Sequence, residues 1–280
     1  MQLTIEVDDL AVCYRSFGSE PVTALADFSL RVPAGEILGV LGPNGSGKSS
    51  LLGVLAGSLV GSQGRVRVLG RNPTDPTLLR EVGFQAEGPL PFRTCTPQAF
   101  LVRVAALCGI PRRRSRARVE ALLAQVDLGA VASKRTVANL STGMARRLAL
   151  AAALLVDPRV LLLDEPTSGL DPEGSLLVMD LLRARAEAGG TVVIASHHLQ
   201  EIEQTCTRVV MLAGGRKAAE GTLDQLLGTE EDELVVAGLD DDRMARVCTT
   251  IADLGGRVVR TQRRREHLFA LFRRLRRGAT

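Results

Sequence analysis

Three short stretches carry residue types that can do chemistry. "GPNGSGKSS", residues 42–50, contains G-x-x-x-x-G-K-S between an apolar run, "EILGVL", and a helical pattern, "KSSLLGVLAG". That strand–loop–helix context makes the pattern a phosphate loop. Its glycines let backbone N–H groups converge on phosphate oxygens, and the helix N-terminus adds positive partial charge. In such a loop Lys48 reaches the β- and γ-phosphates and the Ser49 hydroxyl ligates Mg²⁺. "VLLLDEP", residues 160–166, ends an apolar run in two acids. Asp164 is placed to hold a Mg²⁺ shell, and Glu165 to polarise an attacking water as general base. "IASHHLQEIE", residues 194–203, ends another apolar run at two histidines. His197 comes first after the strand and is the better candidate to touch a γ-phosphate. His198 reads as a solvated helix residue.

The elements that must position these residues alternate between strand and helix patterns. Residues 3–41 read as strands and turns, and 64–86 as two more strands around "NPTDP". From about 88 to 157 the apolar spacing turns helical, with helices expected over 96–109, 112–128 and 140–156. Buried strands follow at 160–164 and 191–196, separated by a helix that Pro172 opens and Gly189 and Gly190 close. A hairpin is expected over 208–221, turning at Gly214 and Gly215. Near-continuous apolar strands of this kind are buried on both faces of a parallel sheet, so the fold class is α/β. After a polar linker, "GTEEDE", residues 234–277 show a small β-α-β-α pattern.

The chain has 280 residues, 45% hydrophobic and 24% charged, which excludes wholesale disorder. Its longest apolar run, residues 148–156, is too short to cross a bilayer, which needs about 20 residues. The first ten residues lack the basic start and apolar core of a signal peptide, so a cytosolic chain is expected. Five scattered cysteines form no CxxC pair and read as reduced core thiols. The net charge is +4, with arginine clustered at 112–118 and from 257 to 277. Both clusters read as solvated helix faces; contact with anionic lipid or nucleic acid is the alternative.

These motifs, in this order, resemble the ATPase subunits of bacterial ABC transporters, of the export-type branch, over residues 3–227. The resemblance implies a P-loop NTPase, RecA-like core with an antiparallel β subdomain. It adds a helical subdomain inserted at about 88–157 and a small α+β accessory domain at 228–280. It makes residues 42–49 the Walker A loop, so that Gly42, Pro43, Asn44, Gly45, Ser46, Gly47, Lys48, Ser49 and Ser50 hold ATP. Residues 160–164 become the Walker B strand, with Asp164 and Ser49 on Mg²⁺. Glu165 becomes the catalytic glutamate and His197 the switch histidine, with Lys48 completing the catalytic group. Residues 168–171, "SGLD", become the D-loop, with Asp171 at the nucleotide interface. Tyr14 stands where the family stacks an aromatic ring on adenine; a core role is the other reading of it.

Two departures stand out. "LSTGM", residues 140–144, occupies the place of the family's signature, usually LSGGQ. Ser141 and Gly143 survive there, at a helix start, and would bind the γ-phosphate of ATP held by an opposite subunit. Thr142 would clash if its φ had to be positive. In "VGFQAEG", residues 82–88, register from Gly83 puts Glu87 at the Q-loop position, where it would meet nucleotide and Mg²⁺. Gln85 then becomes a buried strand residue that only looks right. The resemblance further implies a second ATPase unit, identical or related, and a separate transmembrane permease at the cytoplasmic face of the membrane. Nucleic acid or the ribosome is the alternative partner, resting only on the arginine clusters.

Overall fold

Apolar runs bounded by turn residues become strands in the computed structural model, which describes residues 2–15, 20–228, 238 and 240–258. Strands β1 (Leu3–Tyr14), β2 (Val22–Pro33) and β3 (Ile37–Leu41) come first, followed by helix α1 (Lys48–Leu55). β4 (Gln63–Val68) and β5 (Val82–Gln85) flank the Pro-rich turn, which carries one 3₁₀ segment, Pro76–Arg80. Helices α2 (Pro97–Leu107), α3 (Arg112–Gln125) and α4 (Thr142–Ala153) form the inserted helical stretch. The chain then alternates: β6 (Val160–Asp164), α5 (Pro172–Glu187), β7 (Thr191–Ser196), α6 (Leu199–Thr205). The hairpin β8 (Arg208–Ala213) and β9 (Arg216–Thr222) follows, then α7 (Leu223–Leu227) and α8 (Asp241–Asp253).

Two sheets result. β2-β1-β4 is antiparallel, and the other runs β5-β6-β7-β3-β8-β9, parallel except for the final hairpin strand. The larger sheet separates two apolar cores, and its strands feed them alternately. Leu161 and Leu163 of β6 face the helices α2 to α6, while Val160 and Leu162 face α1 and the smaller sheet. That period of two explains why the strand is apolar at successive positions. Truncating Leu162, which is fully buried, to alanine would cost about 2–5 kcal/mol.

Register decides where the chemistry sits. Leu41 of β3 pairs with Ser196 of β7, and Asp164 of β6 pairs with Ala195. The loops after β3, β6 and β7 therefore leave the same edge of the sheet side by side. That edge, at the carboxyl ends of parallel strands, is where open α/β sheets hold ligands.

The helix expected to run to residue 156 stops at Ala153. Arg118 Nη2 donates to the Leu154 carbonyl at 2.8 Å and its Nε to the Leu155 carbonyl at 3.4 Å, satisfying carbonyls that a helix end leaves open. Arg118 is thus not part of a solvated face, whereas Arg112, Arg113, Arg114 and Arg116 are exposed as expected.

The chain divides into two units, residues 1–227 and 228–280. In the second, α8 is capped by Asp240, whose side chain accepts from the Arg243 backbone N–H at 2.8 Å. The strand expected at 234–239, except Gly238, and the helix expected at 266–277 lie outside the described residues. Of the strand expected at 257–261, the described Arg257 and Val258 lie in no regular element. Among the described residues no helix is long and apolar enough to cross a membrane.

Candidate active site

The loop after β3 wraps the start of α1. Gly47 takes φ 102°, a conformation L side chains rarely adopt, and a Cβ there would lie 2.3 Å from the Ala24 carbonyl oxygen. Only glycine fits both constraints. α1 has no side chain capping its first N–H groups and no acid in its first turn, so its donors and positive end are left for an anion. Lys48 is buried, its Nζ donating to the carbonyls of Gly42 at 2.7 Å and Pro43 at 3.2 Å. The Ser46 hydroxyl is buried with no partner among the described residues.

This loop lines a cleft of about 360 Å³. Tyr14 and Ser50 stand at its walls, joined by a hydroxyl–hydroxyl contact of 3.0 Å. Glu87, Asp164 and Glu165 enter it from β5's loop and the end of β6. Burial, more than any other influence, pushes the Asp164 carboxyl above its ordinary range; Glu87 and Glu165 push the same way, against Ser49 and Lys48. An oxygen-only donor set beside a phosphate-type loop suits a hard divalent cation. Gln85 is buried at the end of β5, and its amide has no partner among the described residues, while Glu87 is open to the cleft.

Glu165 is 5% exposed and sits at φ 49°, which aims its carboxyl back across the strand ends. Its backbone N–H donates to the Ala195 carbonyl at 2.9 Å, extending the β6–β7 ladder by one residue. A carboxylate only accepts, so the His197 Nδ1–H donates to Glu165 Oε1, at 2.8 Å. Ser196 donates to Oε2 at 3.3 Å and also accepts from the His198 backbone N–H at 3.0 Å. The sequence reading passed over Ser196; the signal was there, in a hydroxyl that closes the apolar run "TVVIAS". It also passed over Val22, Thr23 and Ala24, which line the cleft because β2 pairs with β1 opposite Tyr14.

Of the expected site residues, Gly42, Pro43, His197, Ser141, Gly143 and Asp171 are not among those lining this cleft. Ser141 caps α4 by accepting from the Met144 N–H at 3.2 Å, and Asp171 caps α5 by accepting from the Gly174 N–H at 2.9 Å. Thr142 is the first residue of α4 and does not have positive φ, so the condition for a clash is not met. Its methyl instead packs on Gly169, where a Cβ would come within 2.8 Å of it. The "LSTGM" and "SGLD" segments thus lie against each other within one chain.

The family profile described as "ABC transporter" matches residues 25–168. The daunorubicin resistance ATP-binding protein DrrA3 of Streptomyces coeruleorubidus is 35% identical over 243 residues, 86% of this chain and 77% of that protein. The Nod factor export ATP-binding protein I of Rhizobium etli is 36% identical over 236 residues, covering 81% and 72%. A dimeric ATP-binding cassette in a post-hydrolysis state, bound to ADP and Pi, superposes with a TM-score of 0.70 at 25% identity, covering 78% of this chain and 98% of that one. The chain therefore belongs to the ABC transporter ATP-binding proteins, and is a nucleotide-binding ATPase subunit with the P-loop NTPase fold.

Proposed function

We propose that this subunit energises an exporter by closing on ATP as a dimer with a second copy of itself, coupled to a separate permease at the cytoplasmic membrane face. The convergence of the phosphate loop, Asp164, Glu165 and the Glu165–His197 contact at one sheet edge carries this reading. The relationship to the Nod factor export protein supports export. Residues 1–227 form the ATPase domain, and 228–280 a small accessory domain.

In this reading the loop N–H groups and Lys48 hold the triphosphate, and Tyr14 stacks on the base. Ser49, Asp164 and Glu87 would hold Mg²⁺, which when bound would supply positive charge to the transferring phosphoryl group. Glu165 takes a proton from the attacking water as that water's oxygen bonds to the γ-phosphorus and the bond to ADP breaks. His197 orients Glu165 through Nδ1. Ser141 and Gly143 of the second copy present hydroxyl and helix N-terminal donors to the same γ-phosphate, with Asp171 beside them. ATP thereby biases the dimer towards its closed state, and hydrolysis releases it.

The test is membrane association with and without the permease. Membrane fractionation of the tagged chain is expected to show association only when the permease is co-expressed. Membrane binding that is indifferent to any permease contradicts the reading.

A further inference from the structure

The second histidine has no part in the chemistry above. His198 follows His197 directly, and their rings lie with centroids 4.1 Å apart, tilted by 36°. One nitrogen from each ring and a carboxylate oxygen of Glu165 lie within 4.8 Å of one another. We propose that Glu165, His197 and His198 form a site for a borderline transition-metal ion such as Zn²⁺ or Co²⁺, and that its occupancy stops ATP turnover.

The ligand chemistry separates this site from the one beside the phosphate loop. Two imidazoles and a carboxylate suit Zn²⁺ or Co²⁺, whereas the all-oxygen set of Ser49, Asp164 and Glu87 suits Mg²⁺. A tetrahedral metal with ligand distances of roughly 2.0–2.2 Å holds its donors about 3.3–3.6 Å apart, so the 2.8 Å Glu165–His197 pair must open and any pair near the 4.8 Å limit must close. The rearrangement falls on the exposed partners. Glu165 is fixed by burial and by its ladder hydrogen bond, but the His197 side chain is half-exposed and His198 is exposed. The His198 backbone is anchored through Ser196, so only its side chain has to turn. Binding would exchange the Glu165–His197 hydrogen bond for two metal bonds. It would thereby withdraw Glu165 from the attacking water and His197 from orienting it. The inhibitory effect rests on the roles proposed for Glu165 and His197; the binding itself does not.

The experiment is a Co²⁺ titration of the full chain followed by visible absorption, with Zn²⁺ inhibition of Mg²⁺·ATP hydrolysis measured at buffered free metal. His198→Ala is compared with wild type, and His267→Ala is the control for the chain's remaining histidine. His198→Ala is expected to weaken Co²⁺ binding by about tenfold or more. It should raise the half-inhibiting Zn²⁺ concentration by a similar factor and leave the rate in Mg²⁺ alone unchanged. Equal Co²⁺ affinity in wild type and His198→Ala would overturn the site. Co²⁺ binding that depends on His198 but leaves turnover untouched would uphold the site and overturn its inhibitory effect, and with it the role given to Glu165.

Discussion

His197 Nδ1 lies 2.8 Å from Glu165 Oε1, while Ser196 holds the other oxygen of the same carboxyl. The acid that follows β6 is thus oriented by the last residue of β7 and the one after it. Strand register brings them together, since Asp164 pairs with Ala195. Glu165→Gln keeps the size of the side chain and removes its basicity. Turnover is expected to fall by about 10²–10⁴, the usual contribution of a positioned base, with ATP binding retained. Steady-state phosphate release alongside calorimetric nucleotide binding checks this. A rate within about tenfold of wild type contradicts it.

Asp164 carries a different cost. Burial raises its pKa in the folded chain, so the fold penalises its ionised form. The folded state then binds the proton more tightly than the unfolded one. Stability is lost as pH rises through the interval above the ordinary carboxylate value. Asp164→Asn is therefore expected to raise the Tm of the nucleotide-free protein at neutral pH. The gain should shrink as pH falls to the carboxylate range, and ATPase activity should be lost throughout. Thermal melts across pH 4–8 check the trend; a gain that grows toward acid contradicts it.

Gln85 and Glu87 are separable by position. The Gln85 amide is buried and unpartnered among the described residues, a state that costs about 1–3 kcal/mol. Gln85→Leu should leave ATPase activity within about twofold and raise Tm by several degrees, at roughly 2–4 °C per kcal/mol. Glu87→Ala should cut turnover by about tenfold or more, as loss of a Mg²⁺-holding group does. The opposite pattern would return the Q-loop role to Gln85.

Gly47→Ala tests the loop. Its φ of 102° and the 2.3 Å approach of a Cβ to the Ala24 carbonyl make any side chain strained there. The cost is about 1–3 kcal/mol in backbone strain alone. Lower Tm and ATP affinity reduced by at least about tenfold are expected, read by melting and nucleotide titration. Wild-type affinity would contradict the proposed cradle.

Much of this was legible in the sequence because the loop, the acids and the histidine each follow an apolar run. The parallel strands carry all three to one edge. Glycine spacing and strand ends report local backbone needs, which sequence states directly. What stayed hidden depends on pairs far apart in the chain. Arg118 looked like part of a charged face until the end of α4 arrived beside it. Thr142 has the ordinary helical backbone of α4, so the condition for strain there is not met. Its packing on Gly169 joins segments that no local pattern connects. Ser196 shows its hydroxyl in the sequence but not the two partners that use it.

In the proposed function a second copy of this chain completes the site. Size-exclusion chromatography with light scattering on Glu165→Gln, with and without Mg²⁺·ATP, tests it most directly. The variant is expected to be a monomer without nucleotide and a dimer with it. A variant that binds ATP yet remains monomeric would contradict it.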